Sequence, residues 1–184
     1  MSVILVDLVR LVVKTKPKVY GIVVIGLAVV VSVYGMLNAF DLRTTKLDIP
    51  VKDLSKELKV MLLSDIHVGH FRSSDFIKKI VDRTKKVNPD MVFITGDYLD
   101  GKIELKGENF ALLRQLDVPK FFIGGNHDEH TDLEAIKEKM REAGVKVLEN
   151  EVVDLENIQV VGLDYMMADD EAFTIKTLKE YRSI

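Results

Sequence analysis

"KFFIGGNHDEH", residues 120–130, joins two kinds of sequence at one point. Lys120–Ile123 is a short, mostly apolar run with glycines after it, the pattern of a buried strand. Gly124 and Gly125 let the backbone turn sharply at its end. Asn126, His127, Asp128, Glu129 and His130 then crowd polar groups into one short segment. A polar turn can look like this by chance, so its meaning depends on whether the chain repeats the arrangement.

It does, twice upstream. "LKVMLLSDIHVGH" (58–70) runs from an apolar stretch into Asp65 and His67, and "MVFITGDYLDG" (91–101) runs into Gly96 and Asp97. Between these runs lie helical patterns. In "SSDFIKKIVDRTKKVNP" (73–89), Phe76, Ile77, Ile80 and Val81 recur at helical spacing. Ser73 or Ser74 is placed to cap the start, and Asn88-Pro89 stops it. "ENFALLRQL" (108–116) reads as a short helix. "TDLEAIKEKMREAG" (131–144) reads as a helix with a capping box of Thr131 and Glu134 and a terminating Gly144. "VKVLENEVVDL" (145–155) and "NIQVVGLDY" (157–165) read as further strands, and "EAFTIKTLKEYRSI" (171–184) as a helix. Strands alternating with helices over short links predict an α/β domain with a mostly parallel sheet flanked by helices.

In such a sheet, ligands bind at the carboxyl ends of the strands. Three parallel strands would therefore bring Asp65, His67, Asp97 and Asn126 to one place. Asp65 and His67 point the same way if strand geometry continues past Leu63. Each Asp or Asn taken alone is an ordinary turn former. Together, carboxylate, imidazole and amide oxygen suit Mn²⁺, Fe or Zn²⁺. The chain has no cysteine, so thiolate ligands and disulfides are excluded. Its four histidines are His67, His70, His127 and His130. His70 and His130 are expected to be solvated, and Asp100 and Asp164 to be turn or strand-end residues.

The N-terminus is a different object. Val19–Phe40 contains 22 residues without a charge, enough for a helix of about 33 Å against a bilayer core of about 30 Å. It is read as one transmembrane helix, 19–40. Residues 1–18 form a mixed basic and apolar segment, and 41–57 a linker with one short strand. Arg10, Lys14, Lys16 and Lys18 precede the span, so the positive-inside rule places the N-terminus in the cytoplasm and the domain on the extracytoplasmic side of a single-pass protein. Of the chain's 26 basic and 29 acidic residues, four and one lie in 1–40; the remaining 22 against 28 carry a formal charge of −6. A nucleic-acid partner is disfavoured, because it would call for a basic face.

D-x-H at Asp65 and His67, G-D at Gly96 and Asp97, and G-N-H-D at Gly125, Asn126, His127 and Asp128 together resemble the calcineurin-like metallophosphoesterases. The apolar anchor resembles a membrane-tethered prokaryotic branch of that family. The resemblance covers about residues 58–165. It implies a metal-dependent phosphoesterase with two divalent ions (Mn, Fe or Zn) acting on a phosphate ester at a membrane, with a lipid-linked ester fitting the tether. By motif position, Asp65, His67, Asp97 and Asn126 would be metal ligands, with Asp97 bridging. His127 would face the phosphate and Asp128 would orient His127. The family also supplies a later His and a G-H-x-H segment, and no histidine follows His130. Residues 58–184 are therefore expected to form the N-terminal part of the family's β-sandwich, with one well-formed metal site. A C-terminal fragment or second chain would complete the other site. The alternative is a non-catalytic, truncated, membrane-anchored metal-binding or interaction module.

Overall fold

The computed structural model describes residues 17–51, 54, 56–70, 72–101, 104–155, 158–165 and 171–181. Most of the N-terminal segment expected at 1–18 lies outside them. The chain divides between Ile49 and Pro50 into two units.

The first unit contains α1 (Pro17–Ala39). Its Lys18–Ala39 stretch is 22 residues long, with a mean hydropathy of 2.3 and none of its most apolar window buried. Ile22, Tyr34 and Leu37 are among its exposed side chains. Length and composition suffice for a membrane crossing. The short strand expected in the linker is absent from the described part of 41–57.

The second unit is built on a four-stranded parallel sheet: β1 (Val60–Leu63), β2 (Met91–Thr95), β3 (Lys120–Ile123) and β4 (Lys146–Val147), in the order β1-β2-β3-β4. α2 (Ser74–Val87) connects β1 to β2. α3 (Glu108–Ala111), prolonged by a 3-10 turn at Leu112–Gln115, connects β2 to β3. α4 (Asn126–Thr131) and α5 (Leu133–Glu142) connect β3 to β4. Each step moves one strand in the same direction. Right-handed crossovers then place all these helices on one face of the sheet. Strand alternation matches: Val92, Ile94, Phe122 and Val147 are buried on one side. On the other, Phe121 packs with Leu148 and Val160, and Phe93, Ile123, Val153 and Ile158 lie partly buried against them.

That second cluster is formed with an antiparallel hairpin, β5 (Glu151–Leu155) and β6 (Ile158–Gly162). A terminal helix, α6 (Glu171–Tyr181), follows. Residues 145–155, expected as one strand, are thus two. Leu148 is buried and donates its N–H to the Phe122 carbonyl, and Asn150 turns the chain with φ +55°. β4 stays in the parallel sheet while β5 leaves it.

Two further details differ from the sequence reading. The apolar run at 58–64 reads as a buried strand, yet β1 is an edge strand of the described sheet. Val60 (42%) and Leu62 (61%) are exposed, on the face that Leu62 shares by register with Phe93 and Phe121. The cap of α5 is Asp132, whose Oδ1 accepts from Ala135 N–H at 3.1 Å. Thr131 instead ends α4 and gives its hydroxyl to the carbonyls of Gly101 and His127. Glu134 is drawn to Lys137 (2.7 Å). Ser73 does occupy the N-cap of α2, without a side-chain cap bond. Asn88 (φ +50°) and Gly144 (φ +75°) end α2 and α5 as expected.

Candidate metal centre

All three polar clusters follow the carboxyl ends of β1, β2 and β3, which are adjacent and parallel. The backbone does not continue as strand there. Asp65 (φ +54°), His67 (+49°) and Asp97 (+51°) all adopt left-handed conformations, beside Gly96 (+79°). Non-glycine residues take such conformations at a cost of about 1–3 kcal/mol each, and hold them only when the surroundings over-determine them. Strand alternation is therefore not what aligns Asp65 with His67; consecutive tight turns are.

Backbone hydrogen bonds impose those turns. His67 N–H donates to the Asp97 carbonyl (2.9 Å), Val68 N–H to Tyr98 (2.8 Å), and Asp100 N–H back to Val68 (2.9 Å). The loop after β1 is zipped onto the loop after β2. Arg72 reinforces it: Nη1 donates to the carbonyls of Asp65 (3.2 Å) and Ile66 (2.8 Å), while the guanidinium lies over Phe76 at 5.1 Å.

The loops after β2 and β3 are held by a second device. Asp128 is fully buried. Its Oδ1 accepts from Tyr98 N–H (3.0 Å) and Leu99 N–H (3.1 Å), and its Oδ2 from Gly125 N–H (3.1 Å). Burial raises its pKa above the ordinary carboxylate value. The three N–H donors pull it down, and the nearby Asp97 charge adds to the rise. Glycine is required where these loops touch. A Cβ on Gly96 would lie 2.7 Å from the Gly125 backbone, and one on Gly125 would lie 2.3 Å from Asp97 Oδ1.

The side chains then converge. His67 Nε2 lies 3.8 Å from Asp65 Oδ1 and 3.9 Å from Asp97 Oδ2. Asp97 Oδ1 accepts from His127 N–H at 3.0 Å. The rings of His67 and His127 meet edge to face at 4.8 Å. His67, Asp97 and His127 offer nitrogen and oxygen atoms all within 4.8 Å of one another. Two ligand atoms each about 2.1 Å from one ion are at most about 4.2 Å apart. The separations of His67 from Asp65 and Asp97 meet that bound as they stand. Including His127 needs a further closure of about half an ångström. Asp65 lies outside that group: its Oδ1 reaches toward His67 Nε2, while its Oδ2 accepts from the Ser64 hydroxyl at 2.6 Å. A donor set of carboxylate and imidazole fits a borderline divalent cation.

Asn126 opens α4 and is exposed. Asp128, expected to orient His127, gives its carboxylate to three backbone donors. His70 and His130 are exposed, His130 on α4. Asp164 follows β6 and takes its N–H to Asn150 Oδ1 at 2.8 Å. Two residues near the site escaped sequence reading. Arg72 sits seven residues beyond Asp65 with no motif to mark it. Asp100, expected as a turn residue, lies three residues beyond Asp97 with its Oδ1 3.8 Å from His67 Nδ1.

Fold and site together define an α/β domain with a candidate metal centre on the carboxyl ends of three parallel strands. Residues 58–180 match the family model described as calcineurin-like phosphoesterase, and the chain belongs to that family of phosphoesterase hydrolases. An uncharacterized metallophosphoesterase of Aquifex aeolicus is 30% identical over 83% of this chain and 63% of its own length. A transmembrane protein with metallophosphoesterase domain from Danio rerio is 33% identical over 66% of this chain and 29% of its own. UDP-2,3-diacylglucosamine pyrophosphatase LpxG of Chlamydia muridarum is 32% identical over 40% of this chain and 23% of its own. The chain spans less than two thirds of the length of each of these relatives.

Proposed function

We propose that this chain carries a membrane-anchored, metal-dependent phosphoesterase centre. The observation that carries this reading is the grouping of His67, Asp97 and His127 at the ends of adjacent parallel strands, with Asp65 Oδ1 3.8 Å from His67 Nε2. Asp65, His67 and Asp97 would hold one divalent ion, with Asp97 extending to a second ion that Asn126 would also hold. When bound, such ions polarise phosphoryl oxygens and lower the pKa of an attacking water.

The chain's own groups supply the rest. His127 is half-buried, with its backbone pinned by Asp97 and its ring against His67. It faces the same space and would stabilise phosphoryl charge or give a proton to the leaving oxygen. Asp128 orients His127 indirectly, by fixing the Gly125 end of the turn that carries it. Arg72 holds the Asp65–His67 turn in shape through its carbonyls.

α1 would anchor the domain at a membrane, with the domain on the extracytoplasmic side. A substrate with a phosphate ester near the lipid surface fits that tether, and the Chlamydia relative is named as a pyrophosphatase of UDP-2,3-diacylglucosamine. The test is release of p-nitrophenol from its phosphate mono- and diesters by the full chain in detergent. Release should require Mn²⁺ or Zn²⁺ and vanish in Asp97→Ala. Release that persists without metal, or in Asp97→Ala, refutes the proposal. Metal binding without release would favour the non-catalytic metal-binding module.

A further inference from the structure

The two ends of the second unit carry opposite charge. Around the carboxyl ends of its strands lie Asp65, Asp97, Asp100 and the α5 cap Asp132. The other end is basic. Lys59 leads into β1, Lys120 and Lys146 open β3 and β4, Lys85 and Lys86 close α2, and Arg114 lies in the last turn of the 3-10 helix. This basic end belongs to a region, 41–184, whose formal charge is −6.

Contacts draw these cations together without neutralising them. Lys59 Nζ donates to the Val87 carbonyl (3.3 Å) and Lys85 Nζ to Gln115 Oε1 (2.9 Å). Arg114 donates twice to the Glu142 carbonyl (3.1 and 2.8 Å), and Lys120 Nζ to the Leu116 carbonyl (2.6 Å). Every one of these acceptors is uncharged. Lys86 and Lys146 are exposed and make no ion pair among the described residues. Of the carboxylates at this end, Glu142 is taken by Lys139 (2.9 Å), which leaves Glu57, Asp90 and Asp117. Cations at the carboxyl end of a helix are ordinary, because they complement its dipole. That accounts for Lys85, Lys86 and Arg114, but not for lysines at the starts of three strands.

The partner this end fits is an anionic lipid surface. The chain enters the sheet here, at Lys59, after the apolar stretch Lys18–Ala39 and a linker that reaches on the order of 60 Å when extended. Such a tether keeps the unit close to a bilayer without choosing which end meets it. Each Lys or Arg near an anionic surface favours contact about fivefold, and the acidic end is repelled. We propose that the basic end is a docking face for anionic lipid: its cations rest on lipid phosphates and turn the acidic end outward. The proposal goes beyond the metal assignment and does not depend on it. β2 alone, at five residues, is about 16 Å long. An ester that stands clear of the bilayer would therefore reach the outward crevice more readily than a phosphate at the glycerol level.

The chain has no cysteine, so single introduced cysteines can carry a donor dye. Gln115→Cys reports the basic end, and Glu104→Cys the loop after β2 at the opposite end. The full chain is reconstituted into vesicles of phosphatidylcholine, with or without phosphatidylglycerol, that carry acceptor-labelled headgroups. Energy transfer from position 115 should rise in the anionic vesicles, and transfer from position 104 should not. Salt at about 1 M, where the screening length is about 3 Å, should abolish the rise. The combined Lys86→Gln, Arg114→Gln and Lys146→Gln variant should weaken docking about 100-fold and abolish it too. Equal transfer from position 115 in the two kinds of vesicle overturns the proposal, and is the result expected if this end takes an acidic protein instead. A rise that persists in the triple variant, or an equal rise at position 104, also overturns it.

Discussion

Replacing Asp128 by Ala removes the one acceptor shared by three buried backbone donors. Tyr98, Leu99 and Gly125 N–H groups lie 3.0–3.1 Å from its two oxygens, and the residue is 0% exposed. Hydrogen bonds to a charged group contribute about 1.5–3 kcal/mol each. Two effects reduce the gross sum. The carboxylate is costly to bury, as its raised pKa records, and a water entering the space left by the side chain would satisfy part of the set. The net loss expected is about 3 kcal/mol, a large share of a typical domain's 5–15 kcal/mol. Amide hydrogen exchange by NMR resolves it by residue: Tyr98, Leu99 and Gly125 should exchange roughly 100-fold faster, since about 1.4 kcal/mol is a factor of ten. Asp128→Asn gives a sharper pattern. One oxygen can still serve Tyr98 and Leu99, but the amide NH₂ faces the Gly125 N–H, so Gly125 alone should lose protection. Exchange within twofold of wild type at all three amides in Asp128→Ala would refute the account of Asp128 as the clamp between the two loops. The pH dependence has a defined sign. Because the folded pKa is raised, the folded state takes up this proton before the unfolded one does. Stability from Asp128 therefore grows as pH falls from the folded value toward about 4, opposing acid unfolding.

Gly125→Ala should drive a Cβ into Asp97 Oδ1 and displace that carboxylate. Misplacement on the order of 1 Å at a reacting centre costs about 100-fold, so p-nitrophenol release should fall by at least that factor. Lys137→Met keeps the buried stem but loses the Nζ bonds to Glu134 and Glu149, and should cost about 1 kcal/mol at neutral pH in urea unfolding. The Lys137 and Arg141 contacts hold Glu149 below its ordinary pKa, so its share of that stability is present at neutral pH and is lost as pH falls through the lowered value. The full chain should bind about one Mn²⁺ or Zn²⁺ with useful affinity, as counted by elemental analysis after dialysis, and His67→Ala should remove most of it. Two retained ions per chain would contradict that count. Val29→Asp near the middle of α1 should cost about 3 kcal/mol of membrane insertion and raise the fraction extracted by alkaline carbonate. Unchanged extraction would remove the case for α1 as a span.

Local pattern alone determined a good deal. A 22-residue uncharged run needs no context to be long enough for a bilayer, because helix rise is fixed per residue. Apolar runs broken by helical periodicity foretold the parallel sheet, since each strand must bury both faces and each helix one. The three clusters that end those runs pointed to Asp65, His67, Asp97 and Asn126, because strand ends in such a sheet face one crevice; His127 entered through the resemblance of motifs. Tertiary structure decided which atoms meet. Asp128 serves Tyr98 and Leu99, 30 and 29 positions away, and Asp100 lies beside His67 across two turns; register between strands sets both pairings, and no periodicity encodes it. The same holds for the split of 145–155 into β4 and β5, where burial of Leu148 over Phe121 overrides a continuous β pattern. It holds also for the left-handed backbone at Asp65, His67 and Asp97. Intrinsic preference disfavours that conformation at each of them, and only the hydrogen bonds between neighbouring loops make it the one that fits.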